Sequence, residues 1–134
     1  STTSLNMSEN QDVTELIALN RQLLDAIDSG DWKTYQELCD AELPAFEPEA
    51  SGHLVQGLDF HRYYFELETD GPRQSTMSSP HMRLMGEVAV VTFVRLTQSL
   101  NGEGAPQTTA AEETRIWERQ RDTWRHVHFH RSKN

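Results

Sequence analysis

The spacing of apolar residues changes once along this chain, and that change limits the folds open to it. Before Pro80 the apolar positions recur at a helical period: Val13, Leu16, Ile17, Leu23, Leu24 and Ile27 form one stripe at 3.6-residue spacing. After Pro80 apolar and polar residues alternate, as in strands with one buried face, through "HMRLMGEVAVVTFVRLTQSL", "QTTAAEETRIWER" and "TWRHVHFHR". Helices first and long strands afterwards argue for an α+β fold. In such a fold the helices lie on one face of a curved antiparallel sheet and do not alternate with parallel strands.

The punctuation of the sequence supplies the expected boundaries. Asp12 is a plausible N-cap with Glu15 three residues on, and Gly30 suits a helix stop, so the first helix is expected over about 12–28. Asp31 caps a second helix that places Trp32, Tyr35, Leu38 and Cys39 on one face. Pro44 and Pro48 forbid regular helix through "ELPAFEPEASG", which with "HLVQG" reads as short strands or loop. "LDFHRYYFELE" reads as a third, short helix, and "TDGPRQSTMSSP" as a loop. Gly86–Glu87, "NGEGAP" and "QRD" are the expected turns between strands. Residues 1–11, rich in Ser, Thr, Asn and Gln, read as a disordered tail or linker, and residues 12–134 as one domain.

Composition narrows the function classes. Twelve basic and 21 acidic residues give a net charge of −9, a poor match to nucleic acid. No apolar run approaches the roughly 20 residues that span a bilayer, so no membrane partner is expected. The single cysteine, Cys39, allows no intrachain disulfide and fits a reducing, cytoplasmic setting. No cofactor is expected. Acidic residues concentrate between 9 and 70, whereas arginine recurs from 115 onward. A basic C-terminal segment suits an acidic ligand, or an acidic surface of another subunit.

Two sets of residues on the last strands carry chemistry. His126, His128 and His130 stand two apart, so strand parity puts them on one face and Val127, Phe129 and Arg131 on the other. Two such histidines could ligate zinc, but no carboxylate neighbours them in sequence as a third ligand. The parity that buries Val127 and Phe129 also turns the histidines outward. A polar outer face or a subunit interface is therefore the favoured reading, and no metal site is expected. The same parity aligns Arg95 with Val91 and Phe93, and Arg115 with Glu113 and Trp117. Three strands thus each set an arginine beside core residues. Buried arginines are costly unless they are paired or serve a ligand. Parity alone leaves both readings open, with Glu113 as the candidate internal partner.

The blocks "AFEPEASGHLVQGLDFHRYYFE", "VRLTQSLNGEGAPQT", "EETRIWER" and "HVHFHRS" resemble, in order and spacing, the association domain or hub of calcium/calmodulin-dependent protein kinase II. The similarity runs from about Val13 to Ser132. It implies a nuclear-transport-factor-2-like cone, with a strongly bent sheet wrapped on a long N-terminal helix. It implies no catalysis by this domain, and calmodulin binding only by a parent kinase. It also implies assembly into two stacked rings, usually of twelve or fourteen subunits, that display kinase domains. By the same resemblance Arg95, Arg115 and Arg131, with His61, line a pocket for small carboxylates or for a peptide such as a kinase regulatory segment. The loop "LETDGPRQSTMSS" is shorter than in animal hubs and lacks their tryptophan, and "RQRDTW" lacks the glycine of the animal turn.

The rival reading is a small enzyme of isomerase or dehydratase type, because one fold hosts many functions. It would need a general base in the cone, with His61 and Glu113 as the candidates. The aromatic content favours assembly. Trp32, Tyr35, Phe60, Tyr63, Tyr64, Phe65, Trp117 and Trp124 are more than one small core is expected to hold.

Overall fold

The computed structural model describes residues 2–66 and 71–132, with side chains from Glu9 onward. Helix α1 runs Thr2–Ser29 and α2 runs Trp32–Leu38. Strand β1 (Pro44–Phe46), a single 3-10 turn (Pro48–Ala50) and β2 (Val55–Gln56) follow, then α3 (Asp59–Glu66). Four long strands complete the chain: β3 (Gln74–Met85), β4 (Val88–Leu100), β5 (Pro106–Gln120) and β6 (Thr123–Arg131). They form one six-stranded sheet in the order β2-β1-β6-β5-β4-β3.

The helices-then-strands order is as the periodicity implies, with three differences. First, α1 begins at Thr2, so the polar segment expected as a tail carries helical backbone and Asp12 is no N-cap. The Asp12 carboxylate instead accepts from Arg119 Nη2 at 2.5 Å. Second, β3 starts at Gln74, inside the stretch expected to be loop. Its alternation is hidden by small polar residues and by Pro80, which a strand tolerates only at an edge or a bulge. Both conditions hold, because β3 is an edge strand and its register with β4 shifts between Ser78 and His81. Residues 67–70 of the loop expected to be shorter than in animal hubs lie outside the described residues. Third, the sheet is mixed. β1 pairs in parallel with β6 through Ala45–Phe129 and Phe46–His130, while the remaining pairings are antiparallel.

One apolar core joins the layers. Leu16, Leu23 and Leu24 of α1, Val91 of β4 and Trp117 of β5 are fully buried, with Tyr35 of α2 and Phe129 of β6 nearly so. Each fully buried aliphatic side chain of this kind contributes about 1.5–3 kcal/mol. The α1 stripe is not wholly apolar. Asn20 is fully buried on it and accepts from the Trp117 indole N–H at 3.1 Å, which ties α1 to β5. Asp31 caps α2 as expected, accepting from the Thr34 backbone N–H at 3.1 Å. No helix among the described residues is long and apolar enough to cross a membrane.

The β5–β6 connection is a tight turn at Arg121–Asp122, where Arg121 sits at φ 62°. A side chain in this left-handed region costs about 1–2 kcal/mol, and glycine avoids that cost. Glycine also loses more entropy on folding, which offsets part of the gain. Arg121→Gly should therefore stabilise the fold by about 0.5–1 kcal/mol, read as a higher urea midpoint at fixed protein concentration. A lower midpoint would show that the arginine side chain contributes more at this turn than its backbone strain costs.

Candidate functional site

Strand parity brings the arginines together, with Glu113 beneath them. Glu113 and Arg115 are successive inward positions of β5, and Arg95, opposite Ala111, is the inward position of β4 diagonal to Glu113. Glu113 accepts from Arg115 Nε at 2.8 Å and from Arg95 Nη1 at 3.3 Å, so one carboxylate bridges two guanidinium groups. Burial alone would raise the Glu113 pKa, but Arg115 and Arg95 outweigh it and hold the carboxyl below its usual range. Arg95 also donates from Nη2 to Asp28 at 2.7 Å and from Nε to Ser75 Oγ at 2.8 Å. Asp28, at the end of α1, is thus part of the floor. Arg115 is 1% exposed and stacks over the Phe129 ring at 4.4 Å.

The histidines do not form one row. Trp117 pairs with His126 and Ile116 with His128, so Val127 has no partner on β5 and forms a bulge. The extra residue reverses parity. His126 is fully buried on the same face as Trp124, and after the bulge Phe129 and Arg131 take over that face. The expectation that His126 points outward is therefore wrong, as is the expectation that Val127 is buried. Arg115 Nη1 lies 3.3 Å from His126 Nε2. Arginine only donates, so Nε2 accepts and the proton of a neutral ring sits on Nδ1, facing Cys39 Sγ at 3.3 Å. Burial, then Arg115, keep the His126 pKa well below normal. Burial likewise pushes the Cys39 thiol up to about 12, so it is inert at neutral pH. On the opposite face His128 Nδ1 donates to the Pro44 carbonyl at 2.8 Å, and His130 is exposed. Among the described residues no group of three or more His, Cys, Asp or Glu could hold a metal ion.

A cavity of about 430 Å³ opens above this floor. Arg95, Arg115, Arg131 and His61 all line it, along with Arg73, Glu47 and Glu49. Apolar walls come from Ile27, Tyr35, Phe65 and Phe129. Arg131 differs from the other two predicted arginines. Its side chain is 24% exposed, and its Nη2 contacts both oxygens of Glu49 at 2.5 Å. His61, on α3, is buried with its Nδ1 3.5 Å from Glu47 Oε1, and its Nε2 has no hydrogen-bond partner among the described residues. Sequence reasoning missed Asp28, Glu47, Glu49 and Arg73. Asp28 carried a signal, since it continues the α1 stripe four residues after Leu24. The two glutamates lie in proline-bound irregular chain, where no period assigns a face.

Glu47 and His61 hold opposite perturbations. Burial, then Glu49, raise Glu47 from 4.5 to about 7. Burial, then Arg115, lower His61 from 6.5 to about 4. Between about pH 4.5 and 6.5 the folded pair is a neutral acid beside a neutral base, while the unfolded pair is an anion and a cation. The proton counts match, so the pair adds no pH slope to stability there. Above that window the folded Glu47 must release its proton, and stability falls as pH rises through about 7. Glu47→Gln should raise stability at pH 8 by on the order of 1–3 kcal/mol, a gain that shrinks towards pH 5. Urea titrations at the two pH values test this, and an equal gain at both would contradict it.

Comparisons with known proteins bear on this geometry. The family model "Calcium/calmodulin dependent protein kinase II association domain" matches residues 12–134. The delta subunit of calcium/calmodulin-dependent protein kinase type II from Oryctolagus cuniculus is 47% identical over 122 residues, which cover 88% of this chain and 23% of that protein. This chain thus spans about a quarter of that relative's length. The hub homology domain from Chlamydomonas reinhardtii is 48% identical, with TM-score 0.85, covering 92% of this chain and 98% of that one. The association domain of the C. elegans kinase is 38% identical, with TM-score 0.89 and coverage of 94% and 98%. A nuclear-transport-factor-2-like protein from Streptomyces avermitilis, 20% identical with TM-score 0.77 over 94% of this chain and 98% of that one, shares the fold alone. The fold is the nuclear-transport-factor-2-like one, and this chain belongs to the association-domain family of calcium/calmodulin-dependent protein kinase II.

Proposed function

We propose that this chain is an oligomerisation hub that closes into a large double ring and displays fused or associated kinase domains. The family match across residues 12–134 carries this reading. The surface agrees with it. Phe46, Leu54, Met85 and Leu100 are each at least 40% exposed, and closed symmetry would cover such side chains without leaving a sticky edge. Twelve or more subunits, in an even number, are expected. Native mass spectrometry at micromolar concentration should show that ring, whereas a monomer or dimer would refute it.

The second part of the proposal is that the arginine-lined cavity takes small carboxylates or an acidic peptide such as a regulatory segment. The support is the convergence of Arg95, Arg115 and Arg131 on one hollow with apolar walls. Glu113, a base candidate in the enzyme reading, is held between two guanidiniums and is poorly placed to take up a proton. Nε and Nη1 of Arg115 are engaged by Glu113 and His126, so Arg115 positions the floor, and Arg131 is the more accessible fork. A bound carboxylate stabilises only the folded state, so millimolar monocarboxylates that carry an apolar body should raise Tm by a few degrees. Arg131→Gln should lose most of that shift, and Arg131→Lys part of it, because lysine keeps the charge but not the fork. Equal shifts in wild type and both variants would place the ligand elsewhere.

A further inference from the structure

The cavity already contains a carboxylate in the position a ligand carboxylate would need. Glu49 sets both its oxygens on Arg131 Nη2, and both residues line the 430 Å³ cavity. A second hollow of about 190 Å³ adjoins it, and Arg95, Thr97, Thr109 and Arg131 line both. Arg95 and Arg131 are therefore the cations at which the two hollows meet; Arg95 is taken up by Asp28, Glu113 and Ser75, and Glu49 is seated on Arg131.

Glu49 is held lightly otherwise. It lies in the single 3-10 turn Pro48–Ala50, which buries no residue. The hydrogen bonds of that turn are local, from Ala50 N to the Glu47 carbonyl and from Ser51 N to the Pro48 carbonyl. The chain then turns through Ser51 at φ 52° and Gly52 at φ 90°, and residues 51–54 are exposed. The segment is clipped at its ends, by β1 on β6 and by β2 on β1. Its middle is fastened to the cavity wall by the Glu49–Arg131 pair, whose side chains are 34% and 24% exposed. Ion pairs this accessible add little to stability. Such a contact is strong enough to engage Arg131 Nη2 and weak enough to release it.

We propose that Glu49 is an internal competitor for the arginine site: it satisfies Arg131 in the empty protein, and an incoming carboxylate must displace it together with the turn 48–50. This rests on the anion-binding reading of the cavity. Two features follow from the geometry. The tethered carboxylate is always present at high local concentration, so a bare carboxylate exchanges like for like and gains little. A carboxylate carrying an apolar body also gains contact with Tyr35, Phe65 and Phe129, and that gain drives the exchange. Binding affinity is reduced by the fraction of molecules in which Glu49 holds the fork.

The test measures phenylacetate binding by calorimetry at pH 8 on the assembled wild type, Glu49→Gln and Glu47→Gln. The neutral amide at 49 should tighten binding by about three- to tenfold. Glu47→Gln removes a charge of the same sign from the same cavity without touching Arg131, and should tighten binding less. Hydrogen exchange supplies an independent readout: phenylacetate should lower amide protection at residues 49–54 in wild type and change it little in Glu49→Gln. If wild type binds and Glu49→Gln binds no tighter, or if the two variants gain equally, the competitor role is overturned and the anion site stands. If no form binds, the anion-site reading falls and the competitor role falls with it.

Discussion

The carboxylate of Glu113 is the contact on which the site depends. It is wholly buried, and two guanidiniums from neighbouring strands close on it. A lone buried ion of either sign would cost several kcal/mol, so neither the acid nor the arginines are tolerable without the others. The consequences spread outward. Arg95, anchored on Glu113, also reaches Asp28 and so fixes the end of α1 against the sheet. Arg115, anchored on the same carboxylate, dictates the tautomer of His126 and with it the orientation of the Cys39 thiol. A charged cluster of this kind adds little net stability compared with an apolar core of equal volume. What it provides is a rigid floor of fixed, mutually paired charges that no apolar packing could offer.

The cavity wall follows a different rule. Glu47 and His61 face each other as neutral groups near pH 6, and Glu49 and Arg131 as charged ones. Depth separates the two pairs. Deeper burial and the field of Arg115 favour the uncharged forms at His61, whereas partial access to water lets Glu49 and Arg131 stay ionised. One small hollow therefore presents a fixed floor, a wall that is uncharged near pH 6 and an accessible ion pair.

Much of this was legible in the residues. Alternation in "VVTFVRLT" and "EETRIWER" placed Arg95 and Arg115 on the inner face, and Glu113 could be named as their partner from the same alternation. Helix periodicity found α1 and α2, and Asp31 behaved as a cap. The failures share a physical origin. Val127 adds one residue to β6, and a count of two cannot register an unpaired position, so His126 was assigned to the wrong face. Residues 74–78 of β3 are strand through pairing with β4, not through their own propensity, which is weak for Ser and Gln. Glu47 and Glu49 face the cavity because β1 is clamped in parallel to a strand more than 80 residues later, a contact that local pattern does not reveal.

The bulge at Val127 gives β6 two grammars within nine residues. Up to it, even-numbered positions speak to the core, as Trp124 and His126 do; beyond it, odd-numbered ones do, as Phe129 and Arg131 do. A substitution scan across this strand would show tolerance flipping phase at one residue. Sequences of related chains should carry the same phase break wherever the strand keeps its length. A variant that lost a single residue there would exchange inner and outer faces for every position on one side of the break, moving either Arg131 or His126 out of the cone.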